Sequence, residues 1–179
     1  MTLLKREEIL KDAYKLGFDY EKKYGGCSQC VFAAIQELFD LEDCNSNVLK
    51  ASTSLAGGVG DSGEGTCGAL TGGCMAISLK YGRGMSDLKI SSISEVDPES
   101  SARKALELSK KLVDRFTEEF GGLTCRGIQK KIFGRSFNFW DPKDVKEFEK
   151  AGGHLDKCPS VVGKASQWVA ELLLDEAGK

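Results

Sequence analysis

Apolar residues recur at helical spacing along almost the whole chain, and this periodicity restricts the fold more than any other feature of the sequence. The stretches that predict long helices are residues 2–23, 28–39, 67–82, 99–120 and 159–176. Weaker or shorter helical pieces are predicted at residues 47–55, 125–132 and 143–151. Strand-like runs are short, and no hairpin signal joins two of them. We therefore expect an all-α fold of five to seven helices.

Chain length and charge limit the organisation and the partners of the protein. Its 179 residues amount to one domain, so we expect residues 1–179 to form a single helical domain. Lysine and arginine number 25 against 27 acidic residues, which gives no general field for nucleic acid. No apolar stretch approaches the length of a membrane span, and the first ten residues do not resemble a secretory signal. We expect a cytoplasmic protein that binds neither nucleic acid nor membrane.

A glycine-rich loop follows the third predicted helix. Its sequence, AGGVGDSGEG over residues 56–65, contains a formal match to the G-x-G-x-x-G dinucleotide fingerprint. That fingerprint requires a strand before it and a helix directly after it, and neither is predicted here. The interpretation we retain is a loop whose backbone comes close to another group.

Four of the seven cysteines lie at or near predicted helix starts, and they are Cys27, Cys67, Cys125 and Cys158. The unpaired N–H groups and the positive dipole end of a helix start favour thiolate over thiol. Thiolate is the form that binds metal or attacks a disulfide. Convergence of the four helix starts would surround a negatively charged centre with thiolates and N–H donors, as a sulfide-rich cluster requires.

The other candidate ligands have simpler interpretations. Cys30 lies in the apolar run CVFAAI and is expected to be a core residue, while Cys44 follows two acids in a surface-like turn. Cys74 shares a helix face with Cys67, two turns away. His154, the single histidine, is expected to be a surface or capping residue rather than a ligand.

Glycines leave the start of the helix at 67–82 nearly bare. Gly68 and Gly72 each cost about 1 kcal/mol relative to alanine inside a helix, so something must approach this face closely. A contact between helices is the ordinary explanation, and a compact inorganic group is the functional one. The same face could also serve a homodimer.

The order of these motifs resembles the C_GCAxxG_C_C family of redox-active proteins over about residues 8–175. The first family cysteine matches Cys27 in GGCSQCVFAAI, and Cys67 opens the Cys-Gly-Ala-x-x-Gly core of TCGALTGGC. The third matches Cys125 in FGGLTCRGI, and the fourth matches Cys158 in KCPSVVGKAS. The resemblance implies a redox role, and related domains resemble iron–sulfur carriers. Extra thiols at Cys30, Cys44 and Cys74 depart from the family pattern, and Cys30 and Cys74 lie close enough to it to be possible additional thiols of the site.

Three hypotheses follow. The first is an electron-transfer protein that holds an iron–sulfur cluster through Cys27, Cys67, Cys125 and Cys158. The sequence does not specify the type of cluster. Gly68 and Gly72 would give the cluster room, and the partner would be an unidentified redox protein. The second is thiol–disulfide chemistry by the same cysteines, with Cys27 as the nucleophile of lowest pKa. The third is a non-enzymatic helical protein, with a structural Cys₄ zinc site or no metal.

Overall fold

The structure is a computed structural model that describes residues 2–41, 45–85 and 101–178. Cys44, most of the expected loop at 84–97 and the expected helix start at 99–100 lie outside these residues. The α-helices of the described part are α1 Leu3–Tyr24, α2 Cys27–Phe39, α3 Ser46–Ala51, α4 Gly68–Tyr81, α5 Ser101–Phe120, α6 Cys125–Phe133, α7 Pro142–Lys150 and α8 Cys158–Ala177. A 3₁₀ turn covers Thr53–Leu55, and a π-helical turn covers Gly153–Lys157.

The expected all-α class is confirmed, since the described residues contain no strand beyond one isolated bridge. The eight helices exceed the expected five to seven because each of the short predicted pieces forms a helix of its own. Side-chain caps explain how the shortest of these begin: Thr124 accepts a hydrogen bond from the Gly127 N–H, and Asp141 accepts one from the Lys143 N–H. The described helices include none whose length and apolar content would let it span a bilayer.

Helices α1, α2, α4, α5 and α8 pack around one hydrophobic core. Its largest fully buried side chains include Phe32 of α2, Leu112 and Phe116 of α5, and Leu173 of α8. The most extensive contact between two helices joins α1 to α8, and α4 packs against α2, α5 and α8. The core therefore holds the starts of α2, α4 and α8 at fixed positions relative to one another.

The glycine face of α4 is covered inside this core. A Cβ at Gly72 would lie 2.2 Å from the Ser28 carbonyl oxygen, and one at Gly73 would lie 2.7 Å from Leu112 Cδ2. Helix α4 therefore approaches α2 and α5 more closely than any side chain would permit. The glycine face that suggested a homodimer is thus covered within the chain. It no longer supports an interface with a second copy.

Candidate functional site

Three of the four motif cysteines are the first residues of helices, and the fourth caps one. Helices α2, α6 and α8 begin at Cys27, Cys125 and Cys158, and Cys67 is the N-cap of α4. The placement predicted from the sequence is confirmed. Cys27, Cys67 and Cys125 consequently lie at helix ends whose first N–H groups have no partner within their own helix. Cys158 differs, because its N–H donates to the Gly153 carbonyl of the preceding π-helical turn and Pro159 has no N–H.

A short antiparallel contact holds Cys67 beside Cys125. Thr66 and Thr124 form an isolated β-bridge. The Cys67 N–H donates to the Leu123 carbonyl at 2.8 Å, and the Cys125 N–H donates to the Gly65 carbonyl at 3.0 Å. These backbone bonds tie the end of the glycine-rich loop to the segment before α6, so two motif cysteines far apart in the chain become neighbours.

All four motif cysteines line one cavity of about 330 Å³. Apolar side chains form much of its wall, among them Ile128, Ile132, Phe139, Phe148 and Val161. The polar side chains that line it, apart from the cysteines, are Glu21, Asp61, Gln129 and His154. The cavity is thus a mostly apolar chamber in which four thiols face a few polar groups.

N–H donors reach three of the four sulfurs. The Gly57 N–H donates to the sulfur of Cys27, and the Ala69 and Leu70 N–H groups donate to that of Cys67. The Gln129 amide donates to Cys125 Sγ at 3.3 Å. The Phe137 N–H donates to the other end of that amide at 2.7 Å, which fixes the NH₂ group toward the sulfur. These donors favour a negatively charged sulfur over a neutral one.

Two glycines leave room for the cysteines. A Cβ at Gly68 would lie 2.3 Å from Cys27 Sγ, and one at Gly58 would lie 2.9 Å from the Cys125 Cβ. Gly58 has a φ of +80°, and the loop around it carries the Gly57 donor, so the expected close approach of the loop backbone is confirmed. Gly68 therefore stands against a motif sulfur, whereas Gly72 serves the contact between α4 and α2.

Burial raises the pKa of every cavity thiol, contrary to the lowered values expected at helix starts. The pKa of Cys67 is raised to about 12, and those of Cys27 and Cys158 lie well above the ordinary value. The pKa of Cys125 is also raised by burial, although the Gln129 bond opposes the shift. Removal from water outweighs the N–H donors in each case. The lowered pKa expected for Cys27 at its helix start is therefore not found, because burial raises the pKa of this thiol.

The two additional thiols lie apart from the cavity wall. Cys30 is buried among core residues, as predicted, and its thiol donates to the Gly25 carbonyl at 3.0 Å. Cys74 is half-buried between α4 and α5, within hydrogen-bonding reach of Ser109. The cavity therefore selects Cys27, Cys67, Cys125 and Cys158 from the described cysteines.

His154 is more closely involved with the site than the sequence indicated. Its Nδ1 lies 2.6 Å from Glu149 Oε1, and its ring packs edge-on against Phe148. These contacts fix the ring at the cavity wall, with its side chain 40% exposed. His154 is therefore partly exposed, as expected of a surface residue, but it also forms part of the cavity wall.

Sequence reasoning missed Glu21, which is 3% exposed and lines the cavity. Burial raises the pKa of this carboxyl to about 7, and nearby His154 opposes the shift. The signal that could have identified it is its spacing, because Ala13, Gly17 and Glu21 recur every four residues and form the buried face of α1. An acid on the small-residue face of an otherwise amphipathic helix is a candidate functional residue.

Among residues 2–41, 45–85 and 101–178, no three His, Cys, Asp or Glu side chains lie close enough together to hold a single metal ion. The four thiols share a chamber without forming the tight tetrahedron of a mononuclear site.

Comparison with known proteins gives one finding. The sequence model of the family described as "Putative redox-active protein (C_GCAxxG_C_C)" matches residues 26–172, a range that includes all four cavity cysteines. No curated protein and no solved structure shows significant similarity to the chain. The matched range covers most of the sequence, and the chain therefore belongs to the C_GCAxxG_C_C family of redox-active proteins.

Proposed function

We propose that this protein transfers electrons through an iron–sulfur cluster held by Cys27, Cys67, Cys125 and Cys158. The observation that carries the proposal is that four thiols from four helix starts line one cavity. When bound, such a cluster supplies reversible one-electron storage. The other half of the reaction would be an unidentified redox protein.

The residues of the cavity fit a sulfur-rich anionic group. The N–H groups of Gly57, Ala69 and Leu70 and the amide of Gln129 point at three of the sulfurs. Hydrogen bonds to sulfur stabilise and tune iron–sulfur centres. Gly58 and Gly68 keep Cβ atoms away from Cys125 and Cys27, and apolar side chains form much of the remaining wall.

The spacing of the thiols favours a multi-iron group over a single zinc ion. Zinc requires four ligands at about 2.3 Å for sulfur, which brings the sulfurs close together. In the described part of the chain no three donors meet that requirement. A structural zinc site would need these donors to lie closer together than they do, whereas a multi-iron group is held by sulfurs that lie further apart.

Thiol–disulfide exchange by the same cysteines is the second candidate, and the electrostatics disfavour it. A nucleophilic cysteine needs a lowered pKa, and burial raises the pKa of all four cavity thiols. Binding a metal removes the thiol proton directly, so raised values in the metal-free protein are compatible with a ligand role.

Anaerobic reconstitution with ferrous iron and sulfide tests the proposal. We expect bound iron and sulfide in the wild type, with visible absorption that bleaches on reduction. Cys125→Ser should lose most of the iron, whereas Cys74→Ser, whose thiol lies outside the cavity, should retain it.

Two results would contradict the proposal. One is a wild-type protein that stays colourless and takes up no iron. The other is equal iron uptake by Cys125→Ser and Cys74→Ser. Parallel loading with zinc, followed by metal analysis, would then identify a structural Cys₄ site, and mass spectrometry after oxidation would identify a disulfide pair.

A further inference from the structure

Glu21 is a buried acid with one carboxyl oxygen that the fold leaves without a partner. It lies on α1, is 3% exposed, and lines the same cavity as the four cysteines. Its Oε2 atom is buried and has no hydrogen-bond partner among the described residues. Leaving a buried polar atom unsatisfied costs about 1–3 kcal/mol, so the arrangement points to a partner that occupies the cavity.

The surroundings of Glu21 favour its neutral form. Asp61 faces the same cavity, and the sulfurs of Cys27, Cys67 and Cys158 lie near enough to interact with the carboxyl. Two neighbours favour a negative charge on Glu21: His154, which is held by Glu149, and the Cys30 thiol, which is within hydrogen-bonding reach of the carboxyl from the core side. Burial outweighs both, so the pKa of the carboxyl is raised.

Placing an anionic group among these residues would strengthen that preference. An ionised carboxylate beside four thiolates would add like-charge repulsion in a chamber of low dielectric constant. A neutral carboxylic acid instead offers one O–H donor. This O–H group would be a further hydrogen-bond donor in the cavity, beside the N–H donors to three of the sulfurs.

We propose that Glu21, as a neutral carboxylic acid, donates a hydrogen bond to sulfur of the iron–sulfur group held by the four cysteines and thereby raises its reduction potential. This inference rests on the proposed function. A donor to sulfur stabilises the more negatively charged reduced state more than the oxidised state. Glu21 would then be a tuning residue supplied by α1, a helix that contributes no cysteine.

The test is an anaerobic redox titration, at one pH, of the reconstituted wild type and three Glu21 variants. Glu21→Gln keeps a neutral donor and should stay close to the wild-type potential. Glu21→Ala and the bulkier Glu21→Met lack a donor and should both shift to more negative potential. Glu8→Ala, an exposed position on the same helix, is the matched control and should not shift.

Using both Glu21→Ala and Glu21→Met keeps the test valid if one of them folds poorly, and circular dichroism checks folding. A second measurement is the infrared carboxylic-acid C=O band of the loaded protein, which should be present in the wild type and weaker in Glu21→Gln.

Unchanged potentials in Glu21→Ala and Glu21→Met would overturn the inference. Loss of iron or an equally large shift in Glu21→Gln would also overturn it, since that pattern identifies an ionised carboxylate acting as a ligand. A wild type that binds no iron refutes the proposed function itself, so the two failures are distinguishable.

Discussion

Replacing Glu21 with glutamine should change how the stability of the metal-free protein depends on pH. Burial raises the pKa of this carboxyl from 4.5 to about 7 in the folded chain. Between these two values the unfolded chain releases the proton while the folded chain retains it. Deprotonation therefore stabilises the unfolded state relative to the folded state as pH rises, and the protein becomes less stable.

The magnitude follows from the size of the shift. Each pKa unit corresponds to about 1.4 kcal/mol, so the shift from 4.5 to about 7 corresponds to about 3 kcal/mol. This cost is absent below the unfolded pKa, accumulates between pH 4.5 and about 7, and stays constant above it. Glutamine carries no charge at any of these pH values and removes the cost.

Urea unfolding of the metal-free, reduced protein, followed by circular dichroism from pH 4.5 to 8, measures the effect. The free energy of unfolding of Glu21→Gln minus that of the wild type should rise by about 3 kcal/mol across this range. Taking the difference cancels the titration of all other groups. Glu8→Gln, which changes an exposed acid on the same helix, should show a flat difference. A flat difference for Glu21→Gln as well would refute the reasoning that burial holds this carboxyl protonated.

Three further predictions concern the cavity and the loop beside it. Gly68→Ala places a Cβ 2.3 Å from Cys27 Sγ and should lower the free energy of unfolding by about 1–3 kcal/mol in urea titrations, whereas Gly122→Ala, with open space around it, should change it by less than about 0.5 kcal/mol. Equal effects would show that Gly68 is not confined by the sulfur. Trp140→Phe removes the indole N–H bond to the Gly60 carbonyl at 3.0 Å and should speed hydrogen exchange of the loop amides at a cost of up to about 1 kcal/mol; unchanged exchange would mean that this bond does not hold the loop. The cavity thiols should react with iodoacetamide at pH 8 at least about tenfold more slowly in the folded protein than in urea, since each unit of raised pKa reduces the thiolate fraction tenfold. Peptide mass spectrometry that finds fast labelling of these residues in the folded protein would contradict the raised pKa values.

The sequence predicted the helices and the helix-start cysteines because both depend on local signals. Apolar periodicity marks the helices, and Pro159 beside Cys158 indicates a first helical turn. The predicted number of helices was too low because short helices such as α7 contain few apolar residues, so their periodicity is weak in the sequence.

The electrostatics of the site could not be predicted from local signals. The helix start alone suggested lowered thiol pKa values, but the cost of burial depends on which walls close around each sulfur, and these come from distant segments. Glu21 was missed for the same reason, since its burial depends on segments that pack against α1 from elsewhere in the chain. Gly68 and Gly72 look equivalent in sequence, yet the first turn of α2 places the Cys27 sulfur against Gly68 and the Ser28 carbonyl against Gly72.

The pairing of Thr66 with Thr124 has a consequence for how the protein persists in the cell. It joins a loop in the first half of the chain to a turn in the second half, and the remaining cysteines come from two other places. No fragment of the chain contains all four positions without nearly all of the helices between them. A group held by these sulfurs would therefore bind only to the folded chain, and its occupancy would add to resistance against unfolding and proteolysis. Loss of such a group would leave the folded chain easier to unfold and to cleave.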